Sequence, residues 1–170
     1  MNISMHNASV GVYTKLLGNL GTILDKAEAW VTDKKLDPNA ILLARLSPDM
    51  FTLTRQVQIA TDMAKGTCAR LAAQDAPRYE DSETTFPELK ARVAKTLAYI
   101  GTLPPAAFDG SEDRKIVLKL GPPGKQTEME FTGIHYLQGF GTPNVYFHYS
   151  MVYALLRHNG MEIGKRDYVG

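Results

Sequence analysis

Residues 143–160, PNVYFHYSMVYALLRHNG, are the most strongly patterned segment of the chain. Apolar residues recur here at steps of three and four, which places them on one face of an α-helix. That face comprises Val145, His148, Val152, Leu155 and Leu156. The pattern predicts a helix that ends at His158 and directs His148 inward. Asn144 lies one turn earlier on the same face, so the two side chains are expected to project together.

Length and composition fit one globular domain spanning residues 1–170, because 44% of the residues are hydrophobic and 22% are charged. Nineteen basic residues balance eighteen acidic ones, which leaves no field to attract nucleic acid or an anionic membrane. No run of about eighteen apolar residues occurs, and the first residues lack a secretory pattern. We therefore expect a cytoplasmic protein that binds neither nucleic acid nor membranes.

The single cysteine, Cys68, excludes an internal disulfide and a multi-cysteine zinc site. It lies near the apolar seam of the second predicted helix. No basic neighbour or helix N-terminus is evident that would lower the pKa of its thiol. The sequence therefore predicts a buried structural thiol rather than a nucleophile.

Three more helices are predicted from the same apolar spacing. The first covers residues 9–31, and the third ends near Gly101. Capping residues and prolines indicate where they start: Ser9 for the first, Ser47-Pro48-Asp49 for the second and Pro87 for the third. Four helices that each carry one apolar face are typical of a helical bundle.

The period changes to two between the third and last helices. Residues 114–120 and 125–132 alternate apolar and polar side chains around Gly121-Pro122-Pro123-Gly124, which predicts a β-hairpin. If Leu120 pairs with Lys125, Lys115 lies opposite Glu130. A short turn over residues 134–140 follows, and Thr142 with Pro143 is predicted to start the last helix.

His148 is the histidine that combines an inward position with a polar neighbour. A metal ion needs several converging ligands, and the amide of Asn144 is a weak one. The alternative is a buried histidine that is hydrogen-bonded to Asn144, to a tyrosine or to a backbone carbonyl. The chain also lacks the glycine-rich, Gly-x-Ser-x-Gly and His-Glu-x-x-His motifs of familiar nucleotide-binding and hydrolase sites.

Several segments together resemble an uncharacterised bacterial family within the DinB/YfiT-like superfamily of metalloenzymes. They are LDKAEAW in the first helix, SPDMF with RQVQIA in the second, PNVYFH, and the closing LLRHNGMEIGKRDYVG. The resemblance covers nearly the whole chain. It implies a mainly α fold, a DinB/YfiT-like four-helix bundle of up-down-down-up type, with the β-hairpin inserted before the last helix. It also implies a cytoplasmic homodimer.

Members of this superfamily often hold a divalent ion with three histidines, one on the second helix and two at i, i+4 on the last. Aligning their Leu-Arg-x-x-Gly close with this chain places His148 on the second histidine of the pair and Asn144 on the first. Gln56 or Gln58 occupies the second-helix position. The resemblance therefore implies a degenerate metal site, with His148 as the one plausible ligand and no bound cofactor expected. Gln56, Asn144 and His148 would line a polar pocket between helices.

Two functions stay open at this point. The first is a metal-free bundle that binds a small ligand or a partner. The second is a metal-dependent enzyme resembling the thiol transferases of the superfamily, in which Zn²⁺ or Ni²⁺ would activate a thiol or water. Three converging ligands around His148 would favour the second function, and amides in their place favour the first.

Overall fold

The computed structural model describes residues 3–122 and 124–170. Its long helices are α1 (Val12–Asp33), α3 (Leu53–Leu71), α4 (Phe86–Gly101) and α6 (Thr142–His158). The short helices are α2 (Pro38–Leu42), α5 (Gly133–Tyr136) and α7 (Lys165–Val169), with one 3-10 turn at Pro105–Phe108. Strands β1 (Lys115–Leu120) and β2 (Thr127–Thr132) form an antiparallel hairpin. The predicted mainly α fold, with a hairpin before the last long helix, is confirmed. No helix in the described residues is long and apolar enough to cross a bilayer.

Two π-helical segments continue directly into long helices. The first π segment, Asn7–Gly11, leads into α1, and the second π segment, Leu137–Gly141, connects α5 to α6. A π turn widens the helix by one residue and is rare in proteins. Both predicted helices therefore extend further towards their N-termini than the apolar pattern indicates.

The long helices form a closed ring in the order α1, α4, α3, α6. Lys90 of α4 reaches Asp25 and Glu28 of α1, and Val93, later in α4, lies beside Gly21, which is earlier in α1. Helices α1 and α4 are therefore antiparallel.

Helices α3 and α4 run in the same direction. Arg92 of α4 contacts Thr61 of α3, and one turn later in each helix Lys95 and Lys65 lie over the same Tyr79 ring. Helix α6 runs against α3, because Gly141, just before α6, lies beside Thr67 late in α3, whereas His148, further along α6, contacts Gln56 early in α3. The up-down-down-up bundle implied by the resemblance is thereby observed.

The core consists of the apolar faces of the four long helices. Its fully buried members include Leu17, Leu20, Leu24, Val57, Ala64, Leu71, Leu89, Val145, Val152 and Leu156. Cys68 is buried among them, and burial raises the pKa of its thiol to about 12. The thiol therefore stays protonated at neutral pH and inert. The prediction of a buried structural cysteine is confirmed.

The first helix does not begin at Ser9. The chain is helical from Met5, and the hydroxyl of Ser4 accepts the backbone N–H of Asn7 at 3.1 Å. Ser9 is buried and donates its hydroxyl to the carbonyl of Met5 at 2.7 Å. A serine in the interior of a helix can satisfy its hydroxyl in this way, so a serine such as Ser9 does not have to mark the start of a helix.

The predicted start of the second helix at Ser47-Pro48-Asp49 is wrong. These residues form a turn in which Ser47 Oγ donates to Asp49 Oδ1 at 2.6 Å. Helix α3 begins later, where Thr52 Oγ1 accepts the N–H of Arg55 at 3.3 Å. Ser47 and Thr52 lie within a few residues of each other, and both are typical capping residues. The helix starts after Thr52 because Leu53, the next residue, is fully buried.

Thr142 does not cap the last helix, and residues 134–140 are not a turn. The chain is helical without a break from Gly133 through the second π segment to His158. Thr142 Oγ1 is instead 3.0 Å from the hydroxyl of Tyr13 in α1. Pro143 lacks an N–H, and the π segment before it alters the hydrogen-bond ladder at the place where that donor is missing.

The hairpin has the predicted faces but a register that differs by two residues. Leu120 pairs with Thr127 and Lys115 with Thr132. A shift of two residues keeps each side chain on its own face. Glu130 still binds Lys115, but diagonally, with Nζ to Oε1 at 2.6 Å. The turn closes at Lys125, whose N–H donates to Pro122, and this lengthens the loop.

The connection between α3 and α4 is held by the guanidinium of Arg92, whose side chain is 1% exposed. Because the two helices are parallel, this connection has to return along the bundle. Arg92 binds it through Asp81 at 3.1 Å, Glu83 at 3.0 Å and the carbonyl of Glu80 at 3.0 Å. A further ion pair at 2.9 Å links Arg92 to Asp62 of α3.

Replacing Arg92 by methionine should destabilise the protein strongly. The change leaves several carboxylates without their shared cation, and we expect a loss of about 3 kcal/mol, the low end for a buried pair because these carboxylates are partly exposed. The matched control is Lys119→Ala, which removes an exposed pair with Glu128 and should cost less than about 1 kcal/mol. Urea denaturation measures both. Equal losses would contradict the role of Arg92.

Gly141 should tolerate no side chain. A methyl group there would lie 2.6 Å from Thr67 Oγ1 and 2.7 Å from its Cγ2, and Thr67 is buried and β-branched. We expect Gly141→Ala to cost about 1–3 kcal/mol of unfolding free energy by overpacking. Gly139→Ala is the control in the same π segment, because nothing lies within 4 Å of a methyl group there. Similar unfolding free energies for the two variants would contradict this packing.

Candidate functional site

The structure brings together His148 of α6 and Gln56 of α3. His148 Nδ1 lies 2.7 Å from Gln56 Oε1, and the two residues are only 8% and 1% exposed. The amide nitrogen of Gln56 donates to the carbonyl of Phe51 at 3.5 Å, which leaves Oε1 as the acceptor. Nδ1 of His148 therefore carries the proton, and Nε2 holds a lone pair.

Asn144 does not join this pair. Its side-chain nitrogen donates to the carbonyl of Phe140 at 2.8 Å, and the residue is half-buried. Phe140 belongs to the second π segment, so the amide satisfies a carbonyl where the helix is irregular. The partner of His148 is thus Gln56, and not Asn144, a tyrosine or a backbone carbonyl.

Gln58, the other glutamine considered from the sequence, lies in a different network. Its nitrogen donates to Glu83 at 2.9 Å, and its oxygen accepts from Arg55 at 3.2 Å. Because Glu83 also binds Arg92, Gln58 belongs to the contacts that hold the connection between α3 and α4. Gln56 is the glutamine that faces α6.

The imidazole of His148 is neutral at physiological pH. Burial lowers its pKa below the ordinary value of 6.5, and the nearby positive charge of Arg55 lowers it further. The ring of Phe147 meets the imidazole edge to face, with centroids 5.1 Å apart. A neutral imidazole with a free Nε2 can accept one hydrogen bond or donate one lone pair to a cation.

The residues around His148 do not fit a divalent transition metal. Within residues 3–122 and 124–170, no three His, Cys, Asp or Glu side chains converge as ligands. The oxygen of Gln56 accepts from Nδ1, and the amide of Asn144 binds Phe140. Zn²⁺ and Ni²⁺ prefer imidazole, thiolate or carboxylate donors, and only one such donor is present here.

A surface opening that the sequence did not predict lies between the two π segments. It has a volume of about 450 Å³ and is lined by Ile3, Asn7, Ala8, Val12, Leu137, Gln138, Thr142, Pro143 and Tyr146. A second cleft of about 290 Å³ shares Asn7, Val12 and Tyr146 with it and adds Gly11, Lys15 and Leu16. We call the two clefts together the π groove.

The parallel and antiparallel helix order and the position of His148 define a DinB-like bundle. Residues 5–169 match the family model described as "Domain of unknown function (DUF1993)", and the chain belongs to this family. A solved structure, a DinB family member protein from Shewanella denitrificans, is 42% identical, with a TM-score of 0.87. The match covers 98% of this chain and 92% of that chain. No curated protein matches the chain. The family resemblance seen in the sequence is confirmed.

Acidification should destabilise the protein through His148. Burial lowers the pKa of His148 in the folded state, so on acidification the unfolded chain takes up a proton first. The contribution of His148 to the unfolding free energy is therefore complete above about pH 6.5, and it declines as the pH falls towards the folded pKa. His148→Gln, which keeps an amide donor for Gln56, should lose less unfolding free energy between about pH 7.5 and 5 than the wild type. Urea denaturation at several pH values tests this. Equal pH slopes would contradict a lowered pKa.

Proposed function

We propose that this protein is a metal-independent DinB-like bundle that binds a small ligand or a partner, with a degenerate metal site at His148. One observation supports this most directly, the hydrogen bond between His148 Nδ1 and Gln56 Oε1 at 2.7 Å. At the second-helix position, where the superfamily pattern has a metal ligand, this chain has an amide that already bonds to the imidazole. The pair satisfies two buried polar groups without an ion.

The energetics of the pair also support metal independence. To offer its oxygen to a cation, Gln56 would have to break its bond with His148, and Asn144 would have to break its bond with Phe140. Each broken bond leaves a buried or half-buried polar group without a partner, which costs about 1–3 kcal/mol. Two neutral amides would return little of that cost, because they lack the basicity and charge of histidine or carboxylate ligands.

The alternative is a metal-dependent enzyme resembling the thiol transferases of the superfamily. One feature favours it: the Nδ1–H of His148 is held by an acceptor while Nε2 has no hydrogen-bond partner among the described residues, which is how metal-bound histidines are usually oriented. Such an enzyme would still need two more ligands near Nε2. Metal binding by the purified protein therefore separates the two functions.

We also propose that the protein is a cytoplasmic homodimer. Its membership in a family with DinB-like relatives supports dimerisation, and its lone, buried cysteine suits a reducing compartment.

The wild type should retain far less than one Ni²⁺ or Zn²⁺ per chain after dialysis, as measured by mass spectrometry of the eluted metal. The double variant Gln56→His with Asn144→His should bind about one ion per chain, because it places three imidazoles where the pair and Asn144 now lie. The matched control, Gln58→His with Asn144→His, directs the added imidazole into the Arg92 network and should bind much more weakly.

Two results would contradict the proposal. Stoichiometric metal in the wild type that disappears in His148→Ala would favour the enzyme. A folded Gln56→His, Asn144→His variant that still binds no metal would mean that missing ligands are not what prevents binding.

A further inference from the structure

We infer that the π groove is the ligand site of this protein and that it takes an amphipathic carboxylate, such as a medium-chain fatty acid. The inference about the π groove rests on the proposed function only because it takes ligand binding to be the activity of the protein. The groove is separate from the His148 pair, because Tyr146 and His148 are two residues apart on α6 and so point to opposite sides of it. Neither His148 nor Gln56 lines either cleft.

The walls of the groove suit an apolar body. Ala8 and Val12 come from the N-terminal side, and Leu137, Pro143 and Tyr146 come from the segment that leads into α6. The larger cleft, of about 450 Å³, lies within the range of small-molecule sites, and the cleft of about 290 Å³ extends it through shared residues. Ile3 is 82% exposed and Tyr146 is 40% exposed at the mouth, so apolar surface is available for burial.

Part of each wall of the groove is π-helical, and most of the rest belongs to α1 and α6. The first π segment contributes Asn7, Ala8 and Gly11, and the second contributes Leu137 and Gln138. Single π turns are rare and recur at functional sites, and here two of them border one opening. The hydrogen bond between Tyr13 and Thr142, at 3.0 Å, links α1 and α6 beside this opening and fixes its width.

The polar groups of the groove favour a negatively charged head group. Lys15 lies at one end and forms no salt bridge within residues 3–122 and 124–170. The amides of Asn7 and Gln138 are exposed along the sides. Among the residues that the structure describes, no acidic side chain lines either cleft. The Lys15 cation next to an apolar trough matches one carboxylate on an apolar chain, and it disfavours a cationic amphiphile.

Calorimetric titration with decanoate, decanol and decylamine tests both halves of the inference. Decanoate should bind tightest and decylammonium weakest. Lys15→Ala should weaken decanoate about two- to fivefold, the range of an exposed ion pair, and leave decanol unchanged. Lys15→Arg should restore decanoate binding. Tyr146→Ser should weaken decanoate and decanol alike. The control Lys125→Ala, in the hairpin loop, should change nothing.

Other occupants of the groove give different results. No binding of decanoate, or equal binding of decanoate and decylammonium, would overturn the inference. Conversion of a dimer to a monomer by Tyr146→Ser would also overturn it, because a second copy of the chain would then cover the groove. His148→Ala should bind decanoate as the wild type does. Failure in these titrations therefore rejects the groove alone, whereas stoichiometric metal binding rejects the metal-independent function.

Discussion

The parallel arrangement of α3 and α4 is the constraint on which the rest of the bundle depends. Two parallel helices that are adjacent in sequence need a connection as long as the bundle, and this connection has few backbone hydrogen bonds of its own. Arg92 holds it from the side through the carbonyl of Glu80 and the carboxylates of Asp81 and Glu83, and the centre of the Tyr79 ring lies 3.5 Å from Lys65 Nζ and 3.9 Å from Lys95 Nζ. With that connection fixed, α6 can pack between α1 and α3 and bring His148 to Gln56.

Most of the fold could be predicted because helical periodicity reports burial directly. The cores of all four long helices, the hairpin faces and Cys68 follow from which residues are apolar and how they are spaced. Helix starts were harder, because Ser47-Pro48-Asp49 and Thr142-Pro143 have the composition of caps in any context. Whether Thr52 or Ser47 caps α3 depends on Leu53 being buried, and that is a tertiary fact. The hairpin register depended on where Lys125 closes the turn.

The candidate site was predictable only in part. The resemblance to a known ligand pattern identified His148 and left Gln56 and Gln58 as alternatives, since it compares positions rather than contacts. It could not predict that the side chain of Asn144 would donate a hydrogen bond to the carbonyl of Phe140, because that bond depends on an irregular helical turn. The sequence indicates the π groove less clearly, through the glycines of the two π segments, Gly11, Gly139 and Gly141. The Arg92 network has no local pattern at all, because its partners lie on two other segments, α3 and the connection between α3 and α4.

The packing of α7 on α1 has a consequence for biosynthesis. Asn19 Nδ2 donates to the carbonyl of Tyr168 at 3.0 Å, across 149 positions of sequence, and Lys26 binds Asp167 across 141. While the ribosome is still making the middle of the chain, the inner stripe of α1 has neither α6 nor α7 to cover it. Contacts of such long sequence separation form slowly. The nascent polypeptide therefore exposes the apolar face of α1 during elongation, and chaperones are expected to bind α1 first.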